Sequence, residues 1–271
     1  AAPRAGLAWA TRRAGVVLAG IALAWAAAQA VTTFTVRRED TELVISNRAL
    51  ASQGARSIGN NANCEEGVRM TIVYGPPPGH VETRVEDAVI TSHLALVRTP
   101  VGAEEGAGQE TLELLGATVT FNRPGCIEES TPMEEPAVTL VQGRTTVVGS
   151  RFFLDREENV GTMEGPIALT RAPASEGEPP LTASSASMTF AVDEQRATLQ
   201  GDVRVTSEDR TTTGDTLTLD EEAGTAVLTG SPARSVRGAD VLEGARLLYY
   251  LDSDDVVVIG NVAGELEVEI E

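Results

Sequence analysis

The sequence predicts an all-β protein, a sandwich, jelly roll or solenoid in which one small strand unit is written repeatedly. Three observations point there. Five glycines, Gly116, Gly165, Gly201, Gly230 and Gly260, each follow a short apolar run, and the last three stand 29 and 30 residues apart. Apolar and polar residues alternate around them with the period of two that marks strands buried on one face. Turn-forming clusters such as Asp193-Glu194-Gln195, Ser207-Glu208-Asp209 and Asp252-Ser253-Asp254-Asp255 separate the runs. A fixed period in this range belongs to a stacked architecture, in which each unit buries its apolar face against the next.

Residues 1–30 form a targeting segment. Arg4, Arg12 and Arg13 precede the uncharged stretch from Ala14 to Ala28, which runs into Gln29-Ala30. That is the layout of a secretory signal, and its apolar part is shorter than the ~20 residues of a spanning helix. A cleaved leader is expected, with an uncleaved inner-membrane anchor as the alternative. Residues 31–144 show the strand pattern in a worn form, at Gly67-Val-Arg-Met-Thr-Ile-Val73, at Ala88 to Val97 and at Leu112 to Phe121. Gly116 lies off the face used by Leu115, Ala117, Val119 and Phe121, so it marks either a bulge or a chance match. Residues 75–79, 102–109 and 172–180 are rich in Pro, Gly or Glu and read as loops. The last is either a hairpin tip or a divider between two lobes.

Residues 145–271 carry the pattern regularly. Ser150 to Leu169 gives one unit around Gly165-Pro166, and Ala186 to Val205, Asp215 to Ala233 and Ala245 to Val262 give three more. A glycine inside a strand weakens it, so its recurrence predicts a bend or a close backbone approach. The final Glu265 to Glu271 alternates throughout and predicts a strand with Leu266, Val268 and Ile270 inward.

Composition narrows the function. All 21 basic residues are arginine and three lie in the leader, leaving 18 against 40 acidic residues. A field of that sign repels phosphate backbones, so nucleic acid is not an expected partner; the acidity also keeps an apolar-cored chain soluble. Cys64 and Cys126 sit in an exported chain, where a disulfide persists; pairing and two free thiols both remain open. His80 and His93 have no second nitrogen or sulfur ligand within a few positions, and the aspartates at 252–255 lack the glycine and terminal glutamate of a calcium loop, so no metal site is expected. A chain without lysine has no lysine-containing phosphate loop, and no serine nucleophile elbow is present. Neither an enzyme nor a cofactor is expected. With only 4% aromatics, the interior is either a sparsely filled trough or a thin solid core.

The recurring Ala-x-x-apolar-x-Tyr/Leu-Asp, followed by apolar-x-Gly-Asn/Asp-Val or Gly-x-Pro-Ala, stands at Ala186 to Val205, Leu228 to Ala233 and Ala245 to Val262. In this order the segments resemble the OstA-like domain of the LptA–LptC family of periplasmic lipopolysaccharide-transport proteins, strongly over 145–271 and more loosely over 31–144. The resemblance implies an elongated, twisted β jelly roll, open at its ends, whose apolar groove carries lipopolysaccharide or another envelope lipid between inner and outer membrane. It also implies a periplasmic location, Lpt-type inner- and outer-membrane partners and end-to-end self-association. Alternation places Met188, Phe190, Leu199, Val203, Val205, Leu217, Leu219, Leu228, Leu247, Tyr249, Val258 and Val262 inward, which makes them the expected lipid-binding residues. The alternative function is a structural envelope scaffold with a dry β core.

Overall fold

The computed structural model describes residues 33–260, apart from 39–40, 104–108, 134–136, 174–178, 192–195, 221 and 252–255, together with 263–265. The leader, the turns at 193–195 and 252–255, Val262 and the alternating segment after Glu265 lie outside the described residues. Among the described residues the only helical element is a 3-10 turn, Ala51–Gln53.

Everything else regular is antiparallel strand. The amino-terminal part is cut into short pieces: β1 (Thr33–Arg38), β2 (Thr41–Asn47), β3 (Arg56–Glu65), β4 (Val68–Tyr74), β5 (Val81–Val85), β6 (Ala88–Ser92), β7 (Leu94–Pro100), β8 (Thr111–Leu115), β9 (Ala117–Phe121), β10 (Ile127–Pro132), β11 (Val138–Gln142), β12 (Thr145–Gly149) and β13 (Arg151–Asp155). Six long strands follow: β14 (Val160–Arg171), β15 (Leu181–Ala191), β16 (Arg196–Ser207), β17 (Arg210–Asp220), β18 (Thr225–Arg237) and β19 (Asp240–Tyr250). Two short ones, β20 (Val256–Ile259) and β21 (Ala263–Glu265), both pair with β19.

The long strands run to 11–13 residues, about twice the usual 5–6, because each one bends and serves two layers. The ladders between successive long strands all break in the middle: at Glu164/Ile167, Ser184/Ser187, Gln200/Val203, Thr213/Thr216 and Thr229/Ala233. These breaks line up as one seam across the sheet. On one side the half-strands belong to layer I, and on the other to layer II. β14 shows the division directly, since its second half pairs with β12 and its first half with β13.

Two seam glycines show why the sequence needs them. At Gly201 the backbone has φ +81°, a left-handed conformation in which a Cβ is costly. At Gly165 a Cβ would lie 2.1 Å from the carbonyl oxygen of Ala186 on the adjacent strand, so the strands approach too closely for any side chain. The sequence shows one such glycine per unit, whereas the structure bends every long strand; β15 turns at Ser185-Ala186 with no glycine at all.

Upstream, pairs of short strands do the work of one long strand. β12 and β13 are the two halves of a crossing interrupted at Ser150, whose hydroxyl donates to the carbonyls of Glu164 and Gly165 at 3.1 Å each. β6 and β7 are halved in the same way at His93, whose N–H donates to Leu115 O and whose carbonyl accepts from Gly75 N–H. The remaining pairings are β2 with β1 and β5, β5 with β6, and β6 with β11 in layer I, and β3 with β4, β4 with β7, and β7 with β8, itself paired with β13, in layer II. The described chain is therefore one continuous meander, crossing the seam again and again. Arg171 pairs with Leu181, so the loop at 172–180 joins a hairpin.

Two hydrophobic clusters result. The large one lies between the layers and extends from Leu43 and Ile45 on β2 to Leu247 on β19. At roughly 1.5–3 kcal/mol for each large apolar side chain buried, it is the main source of stability. The small one, built on Met70, Ile72, Tyr74, Leu94 and Leu96, lies on the outer face of layer II. It is covered by the hairpin of β9 and β10, which pair only with each other. The chain departs for this hairpin at Gly116, where a Cβ would stand 2.3 Å from the returning Ala137; that close approach accounts for the glycine out of step with its neighbours. A disulfide between Cys64 on β3 and Cys126 in the hairpin turn, with Cα atoms 5.2 Å apart, ties the cover down.

His93 gives the seam a pH response. Its Nδ1 is buried without a hydrogen-bond partner, and burial, reinforced by nearby His80, holds its pKa below the ordinary imidazole value. The folded state therefore favours neutral His93, while the unfolded chain takes up a proton near pH 6.5. This contribution is complete above that pH and declines as pH falls. The urea midpoint is expected to drop between pH 7 and 5, with a shallower drop in His93→Gln; identical slopes in the two proteins would contradict the assignment.

Candidate functional site

Inward-facing residues on the two layers form opposed rows, whose order follows from strand register. In layer II the pairs Phe190–Ala197, Ala197–Leu219, Leu219–Ala226 and Ala226–Tyr249 make one row. In layer I the pairs Val147–Leu169, Leu169–Ala183, Ala183–Val205, Val205–Thr212 and Thr212–Ser235 make the other. Met188, Leu199, Val203, Val205, Leu217, Leu219, Leu228 and Leu247 are buried between the layers, and Phe190, Tyr249 and Val258 are partly buried against the same cluster. Alternation alone identified these positions.

The interior is filled over much of its length. Leu199, Leu217, Leu228 and Leu247 are at most 1% exposed, so here the layers close on one another and leave no trough. A cavity of about 280 Å³ lies between Leu140, Val147 and Leu169 of layer I and Met188, Phe190 and Leu219 of layer II, with Asp87, Arg144 and Arg171 also in its wall. That volume is near the lower end for small-molecule sites, roughly 300–1,000 Å³. An apolar wall with a few charged groups suits a hydrocarbon chain carrying a polar end.

Beyond the cavity the two rows are joined by polar groups that the residue pattern does not announce. Tyr249 Oη–H donates to Thr212 Oγ1, and Thr212 Oγ1–H donates to Ser235 Oγ at 3.1 Å. Thr212 and Ser235 are 1% and 2% exposed. They escape a reading by alternation because the breaks in β17 and β18 reverse which residues point inward: Leu217 and Leu219 are odd-numbered, Thr212 even. The break positions, had they been known, would have given the correct phase.

A second cavity, of about 460 Å³, lies outside the layers beneath the β9–β10 hairpin. Glu113 lies in its wall, 2.6 Å from Arg98 and 2.7 Å from Arg151. These charges satisfy one another, which lets a carboxylate sit under the hairpin beside apolar Met70, Leu94 and Leu96.

Fold and interior together define a class: an elongated, twisted β jelly roll, made by bending one antiparallel sheet over a continuous apolar interior. Residues 135–255, a little under half of the chain, match the family described as LptA/(LptD N-terminal domain) LPS transport protein. The crystal structure of LptH, the LptA-homologous periplasmic component of the lipopolysaccharide transport device of Pseudomonas aeruginosa, matches 46% of this chain and 95% of its own, at 13% identity and a TM-score of 0.38. No curated protein matches the chain significantly.

Proposed function

We propose that this protein binds an envelope lipid of the lipopolysaccharide type in the periplasm and helps it pass between the inner and outer membranes. The observation that carries the proposal is the apolar interior opening to a cavity whose wall, Asp87 apart, comes from the stretch matched to the transport family. Hydrocarbon moved from water into such a wall gains about 0.8 kcal/mol per CH₂, enough to hold an acyl chain without a covalent bond or a cofactor. The lipid enters at the cavity and parts the layers, touching Met188, Phe190 and Leu219 first. Leu199, Val203, Val205, Leu217, Leu228, Leu247, Tyr249 and Val258 line its path if it travels farther. Residues 31–144 extend the same domain, and Lpt-type membrane proteins or further copies of this chain adjoin its ends. The role is carriage, with no catalysis.

A photo-crosslinking amino acid at Phe190 or Leu219 is expected to trap lipid in cells, and one at Thr218, on the opposite face of the same strand, is not. Adducts at Thr218 alone would reverse the orientation. A second reading draws on the closely filled region around Leu217 and Leu228: a dry structural scaffold. Native mass spectrometry of the exported protein separates the two, since bound amphiphile supports carriage and a bare mass supports the scaffold.

A further inference from the structure

We propose that the cavity beneath the β9–β10 hairpin is a second binding site, separate from the space between the layers, and that it takes a small apolar molecule carrying one anionic group. Its volume, about 460 Å³, falls within the roughly 300–1,000 Å³ of small-molecule sites. The floor is the outer face of layer II, with Met70 on β4 and Leu94 and Leu96 on β7, and the roof includes Ile127 and Ser130 of the hairpin. Arg151 apart, the wall lies outside the stretch matched to the transport family. Carriage between the layers does not call for this site.

The polar part of the wall carries more positive than negative charge. Glu113, itself buried, receives Arg98 on one carboxylate oxygen and Arg151 on the other. The other acidic partners of these arginines, Glu65 and Glu164, stand outside the cavity wall with side chains 47% and 58% exposed, where water weakens their pull. Two guanidiniums therefore share one buried carboxylate. Arg151 also has a donor to spare. Its Nη1 donates to Glu164 and its Nη2 pairs with Glu113, whereas its Nε–H is buried and meets no acceptor among the described residues. A buried donor left unmet is costly, and an anionic oxygen brought beside the guanidinium would answer both the donor and the surplus charge. A plain hydrocarbon would cover Leu94 and Leu96 and leave both unanswered. With 40 acidic residues in the chain against 21 basic, a wall of positive excess runs against the overall field, which fits it for an anion.

Cys64 and Cys126 both border the cavity, so an occupant stands between their disulfide and an approaching thiol. That gives a readout tied to this place. The test uses the full exported chain and two fluorescent probes of similar shape, 8-anilinonaphthalene-1-sulfonate and N-phenyl-1-naphthylamine, which lacks the sulfonate. Occupancy is read as the rate at which dithiothreitol reduces the disulfide. At about four times its dissociation constant the sulfonate probe is expected to slow reduction about fivefold, by mass action, and the neutral probe at the same concentration is expected to leave the rate nearly unchanged. A hydrogen bond to a charged group corresponds to about tenfold or more in affinity. The sulfonate concentration giving half protection is therefore expected to rise about tenfold in Arg151→Gln and in Arg98→Gln. Each variant leaves Glu113 one guanidinium partner and is checked for folding by thermal unfolding, so one folded variant suffices. Sulfonate probe that brightens without protecting the disulfide, or fails to bind, would overturn the site. Equal protection by both probes, or half protection unchanged in a folded variant, would overturn its choice of an anion. Neither result bears on lipid held between the layers.

Discussion

Gly165→Ala is expected to destabilise the protein by about 3 kcal/mol, at the upper end of the range for forcing extra volume into a packed site. The atoms in the way are backbone: the Ala186 carbonyl oxygen at 2.1 Å and the Ile167 nitrogen at 2.8 Å from the new Cβ. No rotamer change relieves the contact, so the adjacent strand itself must move. For a chain of this size the melting temperature should fall by roughly 6–12 °C. Gly59→Ala is the control, because a Cβ there meets nothing within 4 Å. Equal melting temperatures for the two variants would mean that the seam accommodates side chains, and the account of the bend would fail.

Cutting the disulfide is expected to cost somewhat more, and to cost it locally. Cys64 and Cys126 are 62 residues apart, and closing a loop of that length removes about 4 kcal/mol of chain entropy from the unfolded state. The cross-link fixes the β9–β10 hairpin over Ile72, Leu94 and Leu96. A Cys64→Ser, Cys126→Ser double variant should therefore lose amide protection first in residues 117–132, ahead of β14 to β19. Uniform loss across the whole chain would show instead that the hairpin and the meander unfold together.

The extent to which these features are legible from residues depends on what produces them. Strand positions from Ala186 onward follow from alternation, and Gly201 and Gly230 announce bends because few other residues suit those places. The bend in β15 is silent, since Ser185-Ala186 turns with ordinary side chains under the direction of β14 and β16. Gly214 and Gly244 stand at bends too, yet each directly follows a polar residue, Thr213 and Glu243, so no apolar run leads into the glycine to mark it. In β2 to β13 the same crossings are split by His93, Ser150 and the β9–β10 insertion, so their relation to the long strands appears only in the ladders. The inward positions of Met188, Leu199 and Leu217 were readable, whereas the filled state of the interior was not. It depends on how closely two layers approach, a distance that composition does not set. The cysteines left pairing open for a similar reason, because nothing in the chain between them fixes the separation of β3 from the hairpin turn.

The meander carries a final consequence for size. Each crossing is hydrogen-bonded only to the crossings before and after it, so removing or duplicating one hairpin would shorten or lengthen the molecule by about two strand spacings, ~10 Å, and leave both termini of the stack with their original faces. Span in such a protein is a tally of hairpins, adjustable in fixed steps.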